Sequence, residues 1–352
     1  MKIAFLSFYS GEVYRGVETF VNELANRLVD FGHDITVYQN GPKVYDSKYK
    51  VISMGLSYDG SRKNWYIPYV NYHVLKVKSF TKKVLRRIDR ETDIVFATNG
   101  QWQSLLCRAW TLLRGKKLVI SGQSGPGLDD RLNVLTFPNV FVTLTDFQKN
   151  WARRANPFIK VEKIPNGVDL EKFSSGIKPI ETNLSRPIVL CAAAFDSWKR
   201  LPLAIKAVSK LKSGSLLLVG KGEQEERLRV MCEKLLPGRF KISAFPHSEM
   251  PRVFASCDVF TYPTAPWESF GIVLAEAMAS GLPVVVTKDP IREEIIGDAG
   301  ILVDPRDTEA YAKALQEALN RNWGDAPRRQ AEKFDWDKIA AAYEGILQSW
   351  TK

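Results

Sequence analysis

Two glutamates, Glu268 and Glu276, stand eight positions apart in ESFGIVLAEAMASGLPVVV, the stretch from Glu268 to Val286. Between them, Ser269-Phe270-Gly271-Ile272 marks the expected start of a helix, and a Gly-Leu-Pro break ends it before an apolar strand. Free backbone N–H groups at a helix start form a site for phosphate. Gly271 carries no Cβ, so a phosphate can come close to the backbone there. The flanking carboxylates can accept hydrogen bonds from sugar and ribose hydroxyls. Glu276 falls about five residues into the helix, roughly 7–8 Å from its start, which suits the separation of a ribose from a diphosphate. One short segment thus has the chemistry to hold three parts of a nucleotide-sugar.

Three further groups could complete such a site. Lys199 and Arg200, a basic pair, lie just beyond the apolar run PIVLCAAA, at a strand end where ligands of such sheets sit. On an ordinary surface loop the same pair would only be solvated. The turn Arg15-Gly16 precedes a helix starting near Val17 and could offer backbone N–H groups to a phosphate, or be a plain strand-to-helix turn. Gln123 follows the strand KLVISG. Its amide can bond a sugar hydroxyl but cannot act as a base.

These residues need elements to hold them. Apolar runs alternate with amphipathic helical ones: KIAFLSF, Val17–Phe31, DITVYQ, then DIVFAT, Trp102–Leu113, KLVISG and VFVTLT. Residues 166–187, rich in Pro, Gly, Ser and Asn, read as a linker. The pattern restarts with PIVLCAAA, Leu201–Leu211, SLLLVG, Glu225–Leu235, FKISAF, DVFTYP, the helix near Gly271–Ser280 and PVVVT. Such alternation predicts an α/β protein with two doubly wound, Rossmann-like domains facing across a cleft. The expected boundaries are 1–165 and 188–334, with a final helix in 335–352 crossing back to the first domain. Ligands in such sheets sit beyond the C-terminal strand ends.

Composition narrows the class. The chain has 352 residues, enough for two domains, and no apolar run approaches the length of a membrane span. Its four cysteines are scattered, which predicts buried free thiols in a reducing cytoplasm, and its three histidines are too far apart to suggest a metal site. Residues 1–165 hold 25 basic and 14 acidic side chains, whereas 166–352 hold 25 of each, so the whole net charge of +11 lies in the first half. That asymmetry points to an acidic partner for the N-terminal domain. Without a recognition module it does not argue for nucleic acid. From Lys76 to Arg90, apolar residues at Val74, Val77, Phe80, Val84 and Ile88 follow helical spacing, with Lys82, Lys83, Arg86 and Arg87 on the remaining face. That face is either solvated or suited to anionic lipid, with Trp65 and Tyr66 nearby as interface aromatics.

Several ordered motifs carry a family resemblance: IPNGVDLEKF at 164–173, FDSWKRLPLAIKAV at 195–208, LLLVGKGEQEERL at 216–228, FPHSEMPRVFASCDVFTYPT at 245–264, the two-glutamate segment, and REEIIGDAGILVDPRD at 292–307. With the Arg15-Gly16 turn and GHDITVY at 32–38, the set resembles the retaining GT-B glycosyltransferases of family 4 over nearly the whole chain. The resemblance implies a metal-independent enzyme that needs no cofactor and uses a UDP- or GDP-linked sugar. The acceptor would be a hydroxyl on a glycan or lipid-linked precursor, at the inner face of a plasma membrane or free in the cytoplasm. It implies that Glu268 faces the donor sugar, Glu276 holds the ribose diol, Lys199 binds phosphate, Gly16 reaches the donor phosphate, and Phe245 borders the nucleobase. Two departures stand out. Ala194 replaces the family's usual arginine and Arg200 its usual glycine, so Arg200 is expected to supply the missing charge. Gln123 falls near a histidine common in relatives. These departures leave open a relative that binds donor without turnover, and the fold leaves open a phosphorylase or epimerase. Asp335-Trp336-Asp337 reads as a helix start rather than a metal motif, and Gly220-Lys221-Gly222 is too short for a dinucleotide fingerprint.

Overall fold

The protein was analysed as a computed structural model, which describes residues 1–13, 15–43, 47–60 and 67–350. The chain divides into two compact units, Met1–Asn166 with Trp336–Lys352, and Gly167–Asp335. Trp65 and Tyr66 lie outside the described residues.

The first unit holds a parallel sheet of strands β1 (Lys2–Ser7), β2 (Asp34–Gln39), β3 (Lys50–Ser53), β4 (Ile94–Ala97), β5 (Lys117–Ser121), β6 (Val140–Thr143) and β7 (Val161–Lys163). Their spatial order is β3-β2-β1-β4-β5-β6-β7. Helices α1 (Gly16–Asp30), α2 (Tyr72–Leu85), α3 (Trp102–Leu113), α4 (Leu128–Val134) and α5 (Asp146–Ala155) connect them. Side chains alternate along each strand, so the sheet feeds two cores. Ile3, Phe5, Ile94 and Phe96 face α1, while Ala4, Leu6, Val95 and Ala97 face α2 and α3.

The second unit repeats the plan with β8 (Ile188–Ala192), β9 (Ser215–Val219), β10 (Phe240–Ser243), β11 (Val259–Tyr262), β12 (Val284–Thr287) and β13 (Gly300–Val303). Their order is β10-β9-β8-β11-β12-β13, again all parallel. Its helices are α6 (Leu201–Ser209), α7 (Glu225–Leu235), α8 (Met250–Ala255), α9 (Ile272–Ala279), α10 (Pro290–Ile296), α11 (Thr308–Asn320) and α12 (Ala326–Ala331). The chain then returns to the first unit with α13 (Trp336–Gln348). In both sheets the strand order reverses once, between β1 and β4 and between β8 and β11, so loops leaving those neighbours diverge and open a crevice at their C-terminal ends.

Some elements differ from expectation. Strands β3 and β7, of four and three residues, are too short to carry a period. Helix α2 starts four residues before Lys76, because the Asn71 side chain accepts from Val74 N and caps it there. Asp337 sits in the first turn of α13 and pairs with Arg27 at 2.7 Å, so the Asp-Trp-Asp sequence serves that helix.

Helix α13 completes the α1 core. Trp336, Ile339, Tyr343 and Leu347 pack with Phe20, Leu24 and Leu28, and His33 Nε2 meets Glu344 Oε2 at 2.5 Å. Trp336 is 1% exposed. Trp336→Ala should therefore cost about 3–5 kcal/mol of first-unit stability, measured by urea unfolding. A loss under about 1 kcal/mol would show that the helix docks without Trp336.

Candidate active site

Lys199 and Glu268 come from the two loops at the strand-order reversal of the second sheet. Strand β8 runs into a short turn, Ser197–Lys199, and β11 into the segment from Pro263 to Gly271. There the Lys199 Nζ donates to Glu268 Oε2 at 2.6 Å and to the Tyr262 hydroxyl oxygen at 2.7 Å. Thr264 Oγ1 adds a bond to Glu268 Oε2 at 3.2 Å. Both charged side chains are mostly buried, and burial raises the Tyr262 phenol well above its ordinary range, which keeps it neutral. An ammonium, a carboxylate and a phenol thus converge within hydrogen-bonding distance.

The loop carrying Glu268 is pinned from several sides. Ala265 N donates to Trp198 O at 2.8 Å. Arg200, expected as a second phosphate charge, spends its guanidinium here: Nε donates to Pro263 O at 2.8 Å, and one terminal nitrogen to Thr264 O and, at 3.1 Å, to Thr287 Oγ1. Arg200 also has φ +51°, ψ +34°, the left-handed region that glycine enters freely and an L side chain enters at a cost. The carbonyls that hold its guanidinium offset that cost.

Helix α9 begins at Gly271, which has φ +79°. A Cβ there would lie 2.9 Å from the Tyr262 ring, so both conformation and space call for glycine. The helix ends in a Schellman motif: Gly281 N bonds Met278 O and Leu282 N bonds Ala277 O, each at 3.0 Å, with Pro283 beyond. Phe270 is buried against Phe334, rings 5.4 Å apart, so at 270 only backbone faces the helix start. Ser269 is buried as well. Glu276 is the fifth residue of α9, and its buried carboxylate meets His247 Nε2 at 2.9 Å. His247 is exposed beside half-buried Phe245, beyond the end of β10. The His247 contact thus brings the Glu276 carboxylate to the segment that carries Phe245.

In the first unit, Gly16 opens α1. Gln123 pairs reciprocally with Asn166: Nε2 to Asn166 Oδ1 at 3.1 Å, and Asn166 Nδ2 back to Gln123 Oε1 at 2.8 Å. Its nitrogen also reaches Ser121 Oγ at 2.9 Å. The amide expected to meet a sugar is thereby committed within the protein. Beneath it, Asp130 is a residue that sequence reasoning missed. Its buried carboxylate accepts from Ser124 N at 3.2 Å, Gly125 N at 2.9 Å and Asn133 Nδ2 at 3.3 Å, which shapes the loop carrying Gln123. Lys82, Arg86 and Arg87 are exposed, while Lys83 is half-buried and donates to Met54 O at 3.0 Å. The four cysteines are free, buried thiols. Among the described residues, no group of three or more His, Cys, Asp or Glu could hold a metal ion, and no helix is long and apolar enough to cross a membrane.

Comparisons with known proteins agree with this architecture. Residues 14–172 match "Glycosyltransferase Family 4", and residues 175–334 match "Glycosyl transferases group 1". The structure is similar to sucrose-phosphate synthase from Thermosynechococcus elongatus (TM-score 0.81, 18% identity, 99% of each chain). It is also similar to Anabaena HepE in complex with UDP and glucose (TM-score 0.75, 20% identity, 99% of this chain and 100% of that one). The chain is a GT-B glycosyltransferase of the family 4 type. In sequence this glycosyltransferase is 26% identical to a phosphatidyl-myo-inositol mannosyltransferase of Mycolicibacterium smegmatis, over 99% of this chain and 94% of that one. It is 36% identical to O-antigen chain mannosyltransferase B of Escherichia coli, over 45% of this chain and 36% of that one.

Burial pushes the Asp130 carboxyl up to about 7, against its three N–H donors. Below about pH 4 the group is protonated in both states. Between about pH 4 and 7 the unfolded chain releases a proton that the folded chain keeps, so stability falls as pH rises through that window. The expected fall is about 4 kcal/mol, from roughly three pH units at 1.36 kcal/mol each. Urea unfolding of the native protein and Asp130→Asn at pH 4.5 and 7.5 should show the extra slope only in the native protein; equal slopes would refute it.

Proposed function

We propose that this glycosyltransferase is a retaining enzyme that moves a sugar from a UDP- or GDP-linked donor to a hydroxyl of a glycan or lipid-linked acceptor, without a metal ion. The observation that carries the proposal is the convergence of Lys199 and Glu268 at the strand-order reversal of the second unit, beside the Gly271 helix start. In this scheme the backbone N–H groups at 270–272 and the Lys199 ammonium hold the donor diphosphate. Glu276 accepts from the ribose diol, with His247 orienting its carboxylate, and Phe245 borders the base. The bond from the sugar C1 to the phosphate oxygen breaks while the acceptor oxygen bonds C1 on the same face. The acceptor's proton passes to the departing phosphate oxygen. Lys199 stabilises the charge that collects there, and Glu268 stabilises the positive charge that develops on the sugar. Arg200 serves the loop instead of adding a second phosphate contact, so Lys199 carries this electrostatic work with the helix start.

The names of relatives support a nucleotide-sugar donor and a lipid-linked acceptor. HepE has been seen with UDP-glucose, and one relative is a GDP-mannose-dependent mannosyltransferase from Corynebacterium glutamicum. Thermal-shift and calorimetric titration with UDP, GDP, ADP and dTDP tests the donor site. One of them should bind, and Glu276→Ala should weaken it by about 10- to 100-fold through loss of charge-assisted bonds. Lys199→Ala should lower turnover by about 10²- to 10³-fold. Product NMR reports the anomeric configuration, and activity in EDTA reports metal dependence. If no nucleotide binds, the proposal fails; an inverted product removes retention, and loss in EDTA removes metal independence.

We further propose that the exposed face of α2 meets an anionic membrane. Lys82 and Leu75 are exposed on α2, Arg86 and Arg87 just after its last residue, and Ile67 and Val70 just before its first. Each basic residue near such a surface contributes on the order of 1 kcal/mol. Flotation with vesicles containing 30% phosphatidylserine should therefore retain the protein. A Lys82→Glu/Arg86→Glu/Arg87→Glu variant should be released by more than about 10-fold. Equal flotation of both would overturn the membrane proposal.

A further inference from the structure

Arg292 has a fully buried side chain, an unusual position for a guanidinium. It lies at the third position of α10, where Asp289 caps the helix by accepting from Ile291 N and Arg292 N, each at 3.0 Å. The second oxygen of Asp289 accepts from Arg292 Nε at 2.8 Å, so the buried charge is neutralised on its own helix. The two terminal nitrogens point elsewhere. One donates to Glu268 O at 2.7 Å and the other to Pro266 O at 2.9 Å. One rigid fork therefore grips the backbone on both sides of exposed Trp267, at the residue whose side chain meets Lys199. Arg200 holds the same loop earlier, at Pro263 and Thr264.

The chemistry explains why an arginine stands here. A planar guanidinium presents donors in fixed directions, so it can pair with Asp289 and span two carbonyls at once. A lysine ammonium keeps the charge but cannot reproduce that fork. Pro266 lacks an N–H of its own, and the segment from Pro263 to Gly271 has no strand or helix to brace it. Without the fork, the backbone at Glu268 would keep only the bond from its N–H to Ala265 O at 3.0 Å and the Arg200 contacts earlier in the loop.

We infer that Arg292 is a positioning residue for catalysis. It fixes the backbone at Glu268 so that the carboxylate stays in register with Lys199 and the donor sugar. The inference rests on the donor-site roles proposed above. It separates Arg292 from nucleotide binding, which Glu276 and the α9 start would supply.

The test uses the full chain, with Arg292→Lys, Glu268→Gln and their double variant, plus Asp289→Asn as a milder variant that keeps the cap. Binding of whichever of UDP, GDP, ADP or dTDP the native chain takes is read by calorimetry, and turnover of the matching nucleotide-sugar by product release. Arg292→Lys should keep nucleotide affinity and donor KM within about 3-fold and lose about 30- to 100-fold in kcat, the scale expected for a small misplacement. Asp289→Asn should lose less. The double variant should fall no more than about 3-fold below the weaker single variant, since both act through one carboxylate. A kcat near native, losses that multiply, or affinity falling in parallel with kcat would each overturn the inference. A crystal structure of Arg292→Lys gives a readout independent of activity: a Lys199–Glu268 contact kept at its native distance also overturns it. Failure of the native chain to bind any nucleotide would instead sink the donor-site proposal, and with it the catalytic meaning of Arg292.

Discussion

The ion pair between Lys199 and Glu268 is the interaction on which the second unit's site depends. It joins two loops that leave neighbouring strands, β8 and β11, and are 69 residues apart in the chain. Two charges this buried need hydrogen-bond partners as well as each other. Tyr262 and Thr264 supply them, and the loop backbone is held by Arg200, Arg292 and the carbonyl of Trp198. The result is a preorganised charge pair, which costs little reorganisation when a charged ligand arrives.

Much of the second unit's polar interior serves that one loop. Two arginines donate to four of its carbonyls, at Pro263, Thr264, Pro266 and Glu268. The loop has two prolines and no strand partner along its length, and of these carbonyls Thr264 O also accepts from Thr287 Oγ1 at 2.7 Å. Arg200 illustrates how a strained backbone is held. A left-handed backbone at a non-glycine residue is tolerated because the same side chain bonds the carbonyls opposite it.

The first unit solves a similar problem with different groups. Its loop after β5 is shaped by a buried carboxylate, Asp130, and closed by the Gln123–Asn166 amide pair. Asn166 belongs to the IPNGVD motif and so has a signal in the sequence, but its partner lies 43 residues away. Asp130 looks like one of two ordinary acidic residues at the start of a helix, and only its burial distinguishes it from Asp129. His247 lies in the same motif as Phe245, but its contact with Glu276 spans 29 residues of chain.

The alternation of apolar runs with amphipathic ones determined the α/β class. The glycine at 271, the turn of α9 and its Schellman end were written locally, because backbone conformation and helix capping depend on neighbouring residues. The placement of Glu276 one turn into α9 likewise follows from helix geometry, whereas Glu268 lies on the loop before the helix. Tertiary structure decided what sequence could not: which carboxylate meets the lysine, that Arg200 turns inward to carbonyls, and that Arg292 is buried under the Glu268 loop. Those outcomes depend on strand order and on pairings 24 to 69 residues apart, which no local period encodes.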